Sequence, residues 1–288
     1  MTWSKGIVEW TENKTAFIST VFSWDLQKAY QRAVWYKASG YKVRVGGPAI
    51  YSTTIFDGIA EAGGYIPDVV QRHNPKATFT TRGCPRHCPF CIVPKIEPEF
   101  IELDDFPIRP IICDNNILAS SDYHFDMVME KLSDLENIDF NQGLDARLLT
   151  KERAEKLAKL KLKTARLAFD SLGYEKSFVK GLKLLNDAGI PGKKITVYVL
   201  INFRETPEQA LYRLEKVREL GAWPFPMRYQ PVDAKRRNAY LAKGWSERIV
   251  KDMSRYYSNL QYFGYIPFEE YDFHKRYEVK SNQENLWA

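Results

Sequence analysis

Cysteine and histidine are scarce in this 288-residue chain, at four each. Three of the cysteines fall in one short stretch, which excludes a disulfide framework and fits a reducing compartment. No apolar run reaches the roughly 20 residues that a bilayer-spanning helix needs. The opening Met-Thr-Trp-Ser-Lys-Gly has no basic segment leading into an apolar one, so no secretory leader is expected. These absences predict a soluble, cytoplasmic protein without a membrane partner. A spaced glycine set between a strand and a helix is also missing. The lone Gly46-Gly47-Pro48 therefore reads as a tight turn and not as a dinucleotide site.

What is present is globular in kind. Hydrophobic residues at 44% and charged residues at 27% allow one good core, or one core with a smaller appendage. The net charge of +6 is unevenly spread. Positions 147–187 hold eleven Lys and Arg against five acids, and positions 228–255 hold eight against three. Such patches steer nucleic acid or another anionic partner, and equally they form the solvated faces of helices.

Hydrophobic periodicity orders the chain. An apolar, β-branched run at 16–22 predicts a strand, 25–38 a helix ended by Ser39-Gly40, and 41–45 a second strand. That is a small βαβ unit. The stretch 51–76, with Pro67 and His73-Asn74-Pro75, reads as a connection. Strands are then predicted before Cys84 and over 108–113, 138–141, 164–170, 194–201 and 224–229. Helices are predicted between them over 124–135, 145–162, 176–188 and from Thr206 to about 220. Thr206-Pro207-Glu208 supplies an N-cap, a first-turn proline and an early acid. Strands alternating with helices of this length imply a parallel sheet with right-handed crossovers. A further helix is expected over 245–262, followed by aromatics that pack on the fold, and the 281–288 end is expected to fray.

The chemistry concentrates in Cys84-Pro-Arg-His-Cys88-Pro-Phe-Cys91. A structural zinc or a fully Cys-ligated iron-sulfur cluster takes four protein ligands. Three cysteines this close leave one metal position for something else. A zinc-stabilised binding module, with His87 as the fourth ligand, is the non-enzymatic alternative.

Cys84, Cys88 and Cys91, with Phe90 before the last, resemble the signature of the radical S-adenosylmethionine superfamily. The resemblance covers about 76–232, roughly half of the chain, and implies an α/β fold. It is a partial (β/α)6 TIM-like barrel, here preceded by the βαβ unit and connection (1–75) and followed by an aromatic, basic extension (233–288). It implies that the three cysteines hold a [4Fe-4S] cluster, that S-adenosylmethionine takes the fourth iron, and that Phe90 packs near its adenine. It further implies an enzyme that abstracts hydrogen from an unidentified substrate, fed by a flavodoxin- or ferredoxin-like one-electron reductant. Modification of tRNA or DNA by the same chemistry is the alternative.

Candidate cofactor contacts follow at the strand ends. Asp114, Asn115 and Asn116 align with the segment that binds the cofactor's amino group in the superfamily. Arg147 and Arg228 are candidates for its carboxylate and Asp170 for its ribose, while the catalytic residues stay unassigned. Asp114 and Asp145 have loop-capping alternatives, and Cys113 reads as a small buried hydrophobe or a substrate contact. The N-terminal unit resembles a truncated cobalamin-binding domain of one branch. The Asp-x-His-x-x-Gly segment that ligates cobalt there is absent, so cobalamin is not expected.

Overall fold

The computed structural model describes residues 3–4, 6–64, 66 and 68–271. The expectation of a frayed 281–288 end lies outside them. The chain divides into two compact units. The first comprises Met1–Gln142, Lys159–Lys163 and Gln230–Tyr240, and the second Gly143–Ala158, Thr164–Tyr229 and Leu241–Ala288. The architecture is mixed α/β.

The first unit opens with a hairpin of β1 (Ile7–Glu12) and β2 (Thr15–Thr20), Ile7 opposite Thr20 and Glu12 opposite Thr15. Its turn residues Asn13 and Lys14 sit at φ 47° and 57°, the left-handed geometry that two-residue hairpins use. The helix α1 (Leu26–Ala38) leads to β3 (Lys42–Gly46), parallel to β2, and the short β4 (Glu61–Ala62) pairs beyond it. Ala16, Ile18, Val43 and Val45 of the sheet pack with Ala29 and Ala33 of α1 and with Phe56. The expected βαβ unit is therefore present but belongs to a four-stranded mixed sheet. Strand β1 escaped the sequence reading because its residues are half-buried or exposed and form no apolar run.

Three further strands pair in parallel in this unit: β5 (Ala77–Thr78), β8 (Ile111–Ile112) and β9 (Glu136–Phe140). Between the first two lie β6 (Thr81–Arg82), α3 (Val93–Ile96) and β7 (Ile101–Glu102). The 51–76 connection also holds α2 (Val69–His73). Pro94 is tolerated in α3 because it falls in the first turn, where no intrahelical donor is lost. The helix α4 (Asp122–Leu132) is capped by the Ser121 hydroxyl, which accepts from His124 N, and it buries Phe125, Val128, Met129 and Leu132. The expected strand at 108–113 shrinks to two residues, since Pro110 has no N–H for the ladder.

In the second unit β10 (Lys161–Ala168, from Thr164 onward), β11 (Ile195–Ile201) and β12 (Trp223–Arg228) run parallel, β11 in the middle. Pro224 and Pro226 fit because β12 lies at the end of the strand order. The connecting helices are α6 (Glu175–Asp187) and α7 (Pro207–Glu219). Thr206 and Gln209 form a capping box at the start of α7, with Pro207 in the first turn. The helix expected over 145–162 is only α5 (Lys151–Ala158). Thr150 caps it, its hydroxyl accepting from Arg153 N at 3.2 Å, and Lys161 is already strand.

After β12 come α8 (Glu247–Tyr257) and α9 (Leu260–Phe263), which divide the single helix expected there. Tyr256 and Tyr257 are buried, and Tyr256 meets Phe268 and Tyr271 at ring centroid distances of 5.3 Å. The aromatic tail thus packs on itself and on α7, where Arg218 donates to the Tyr256 hydroxyl at 3.4 Å and to the Gly264 carbonyl at 2.8 Å, while Tyr262 and Tyr265 stay exposed. Among the described residues no helix is long and apolar enough to cross a membrane.

Candidate metal centre

A two-stranded ribbon frames the cysteines. Thr81 faces Glu102 and Arg82 faces Ile101 in the antiparallel pair β6–β7, and positions 83–100 form the loop between them. At its neck Gly83 has φ 72°, and a Cβ there would stand 1.9 Å from the Glu99 carbonyl oxygen. Only glycine fits such an approach. The Glu97 carboxylate joins the two arms. It accepts from the Arg82 guanidinium, from Gly83 N at 2.9 Å and from Asn115 Nδ2 at 3.0 Å.

Cys84, Cys88 and Cys91 are half-buried and not disulfide-bonded. The Cys91 amide donates to the Cys88 carbonyl at 3.0 Å, turning the chain between them. Two N–H groups point at the Cys84 sulfur, Arg86 N at 3.5 Å and Asn116 Nδ2 at 3.7 Å. Among the described residues, no three His, Cys, Asp or Glu side chains converge as ligands of one metal ion. A four-iron cubane makes a different demand, because each thiolate binds its own iron corner and the sulfurs ring the cluster without meeting at a point. Three cysteines on one loop outside any disulfide, one of them supplied with N–H donors, suit that donor set. His87 is exposed, and Phe90 is half-buried in the turn before Cys91.

The segment after β8 grips this loop from behind. Asp114 is 4% exposed and accepts from Thr80 N at 2.6 Å, from the Thr80 hydroxyl and from Thr81 N at 3.0 Å. Burial pushes its carboxyl up, and these hydrogen bonds oppose the shift. Asn115 holds Glu97, and Asn116 reaches Cys84. All three candidate cofactor residues therefore engage the chain itself. Cys113 is buried, and its thiol is pushed up to about 12 by desolvation and by the Asp114 and Asp139 carboxylates. It packs in the interior as a small buried side chain.

The remaining candidates belong to the second unit. Arg147 forks onto Asp145, with Nε at 2.7 Å and Nη2 at 2.9 Å from its oxygens, and its guanidinium lies 4.4 Å from the Tyr174 ring centre. Asp145 also accepts from Arg147 N at 3.1 Å, so it caps a local turn ahead of α5. Asp170 accepts from Leu200 N at 3.2 Å. Desolvation raises its pKa to about 6 against the pull of Arg213 and Arg147. Arg228 closes β12, and burial lowers its pKa while Glu247 opposes.

Sequence reasoning passed over two residues here. Glu97 carries no sequence signal, since Glu99 and Glu102 stand close by and nothing local singles out one carboxylate of the three. Arg213 is 1% exposed and donates to the Phe169 and Leu200 carbonyls at 2.6 and 2.8 Å while pairing with Glu205 at 2.9 Å. It thus ties the ends of β10 and β11 together beneath Asp170. No periodicity marks an arginine on the buried face of α7. No protein-family model matches this chain, and no curated protein matches it.

Proposed function

We propose that this chain is a radical S-adenosylmethionine enzyme acting on an unidentified substrate. The observation that carries the reading is the Cys84, Cys88, Cys91 trio on a ribbon-closed loop, none of them in a disulfide. The partial (β/α)6 barrel is part of the proposal. Its support is the succession of six parallel strands, β5, β8 and β9 in one unit and β10 to β12 in the other, alternating with helices from α4 onward. Cys84, Cys88 and Cys91 would hold a [4Fe-4S] cluster and leave one iron for the amino and carboxylate groups of S-adenosylmethionine. When bound, the cluster supplies the electron that splits the sulfonium to a 5′-deoxyadenosyl radical.

The chain's own residues bind and orient. In this reading Phe90 would pack near the adenine, and the Arg147 and Arg228 guanidiniums would be the cations for the carboxylate. Asp170 would accept from the ribose. Asp114, Asn115 and Glu97 keep the cysteine loop in shape. A flavodoxin- or ferredoxin-like protein is the electron donor the chemistry calls for.

Protein reconstituted without oxygen should carry about four irons and four sulfides. With a strong reductant and S-adenosylmethionine it should release 5′-deoxyadenosine and methionine. Alanine at Cys84, Cys88 or Cys91 should abolish both products. Stoichiometric zinc without iron after anaerobic purification would establish the binding-module alternative instead. Running the assay with tRNA, DNA or cell metabolites, and following deuterium into 5′-deoxyadenosine, identifies the substrate class.

A further inference from the structure

We infer that Asn116 tunes the reduction potential of the cluster through the sulfur of Cys84, an inference that rests on reading the three cysteines as cluster ligands. Its Nδ2 donates to Cys84 Sγ at 3.7 Å, an ordinary length for a nitrogen donor to the large sulfur atom. Asn116 is 3% exposed, so water does not compete for this amide. Its place is set on both sides. Two residues earlier Asp114 is pinned by Thr80 and Thr81, and Asn115 is pinned by Glu97. On the other side, Ala119 N donates to the Asn116 carbonyl at 3.0 Å in a turn whose Ile117 and Leu118 are buried. The amide is delivered to the sulfur by a rigid frame.

An N–H directed at a thiolate ligand withdraws negative charge from it. Reduction adds an electron to the cluster, and so the donor stabilises the reduced form more than the oxidised one and raises the potential. Among the described residues the other donor to the same sulfur is the backbone N–H of Arg86, which every residue but proline retains. Asn116 is therefore the adjustable member of the pair. It acts on the cluster through Cys84 and is a positioning residue, not a catalytic one. This assigns Asn116 a role behind the cysteine loop instead of a contact with the cofactor's amino group.

The test is an electron-resonance-monitored redox titration of the anaerobically reconstituted full chain without S-adenosylmethionine. Asn116→Leu removes the donor while keeping the branching and the number of heavy atoms, and Asn116→Asp replaces it with a carboxylate. Both variants should carry wild-type iron and melt near the wild type, yet titrate at a more negative midpoint, the aspartate variant furthest. If the leucine variant does not fold, the aspartate variant carries the test alone. A loaded variant with the wild-type midpoint overturns the inference. Loss of the cluster in both variants also overturns it, because Asn116 would then hold the loop and not tune it. A wild type that forms no iron-sulfur signal refutes the enzyme reading itself and is recognised before any variant is made.

Discussion

The Glu97 carboxylate accepts the backbone N–H of Gly83 at 2.9 Å, tying the residue before Cys84 to the far arm of the cysteine loop. Ordering a loop this long carries a conformational-entropy cost that a single turn of helix does not offset. The same carboxylate takes Arg82 and Asn115, so one side chain closes the loop at its neck and anchors it to the segment after β8.

Glu97→Ala should therefore loosen the loop. It leaves the Gly83 amide and the Arg82 guanidinium without their common acceptor, a loss of roughly 1–3 kcal/mol. Reduced iron content after reconstitution and a lower melting temperature are expected. Glu97→Gln, which keeps one acceptor oxygen, should fall between alanine and wild type. Wild-type iron retention in the alanine variant would contradict the bracing role.

Gly83→Ala should be worse than an ordinary glycine replacement. The new methyl meets the Glu99 carbonyl and the backbone has φ 72°. Gly40→Ala is the control, with φ 82° and nothing within 4 Å of the added carbon. The control carries only the left-handed penalty of about 1–2 kcal/mol. Denaturant unfolding of both variants should rank them in that order, and only Gly83→Ala should lose iron binding.

His73 sets an acid limit on stability. Its Nδ1 lies 2.8 Å from the Ser4 hydroxyl and its Nε2 2.9 Å from that of Ser19, and burial lowers its pKa from 6.5. The unfolded chain takes up a proton near 6.5 that the folded chain refuses until lower pH. Stability is thus lost as the pH falls from 6.5 toward the lowered folded value. His73→Gln should flatten that leg of a melting-temperature profile, and an unchanged slope would count against it.

Asp170 has the opposite sign. Its folded pKa of about 6 lies above the ordinary 3.8, so the unfolded chain ionises first. Its contribution is fully present below 3.8 and is lost as the pH rises to about 6. Asp170→Asn keeps an acceptor for Leu200 N and should remove this dependence. The melting-temperature difference between variant and wild type should then shift in favour of the variant across that window. A difference that does not change with pH would show that Asp170 is already ionised in that range.

Cobalamin should not bind. The His73 ring is engaged at both nitrogens by serine hydroxyls, and no Asp-x-His-x-x-Gly segment occurs in the chain. Titrating a corrinoid into apoprotein should leave its visible spectrum unchanged, and a spectral shift would contradict this.

The sequence by itself determined the features whose causes are local. Alternating strands and helices follow from periodicity, which records which face of each element is buried. The ends of α1 and α7 follow from Gly40 and from Thr206-Pro207, whose capping is complete within a few residues. The three cysteines share one loop because only a few residues separate them. Tertiary structure decided where the polar side chains go. Asp114 reads from sequence as a cofactor contact or a loop cap, and only the pairing of β5 with β8 supplies Thr80 and Thr81 as its partners, 34 and 33 residues away in the chain. The β6–β7 ribbon likewise delivers Glu97 to Gly83, and packing of α7 buries Arg213 under the ends of β10 and β11. The half-buried β1 is a strand only because β2 offers it a ladder. A hydrogen-bond partner across a sheet has no period and no fixed offset in sequence, and it exists only once the backbone has brought the two residues together.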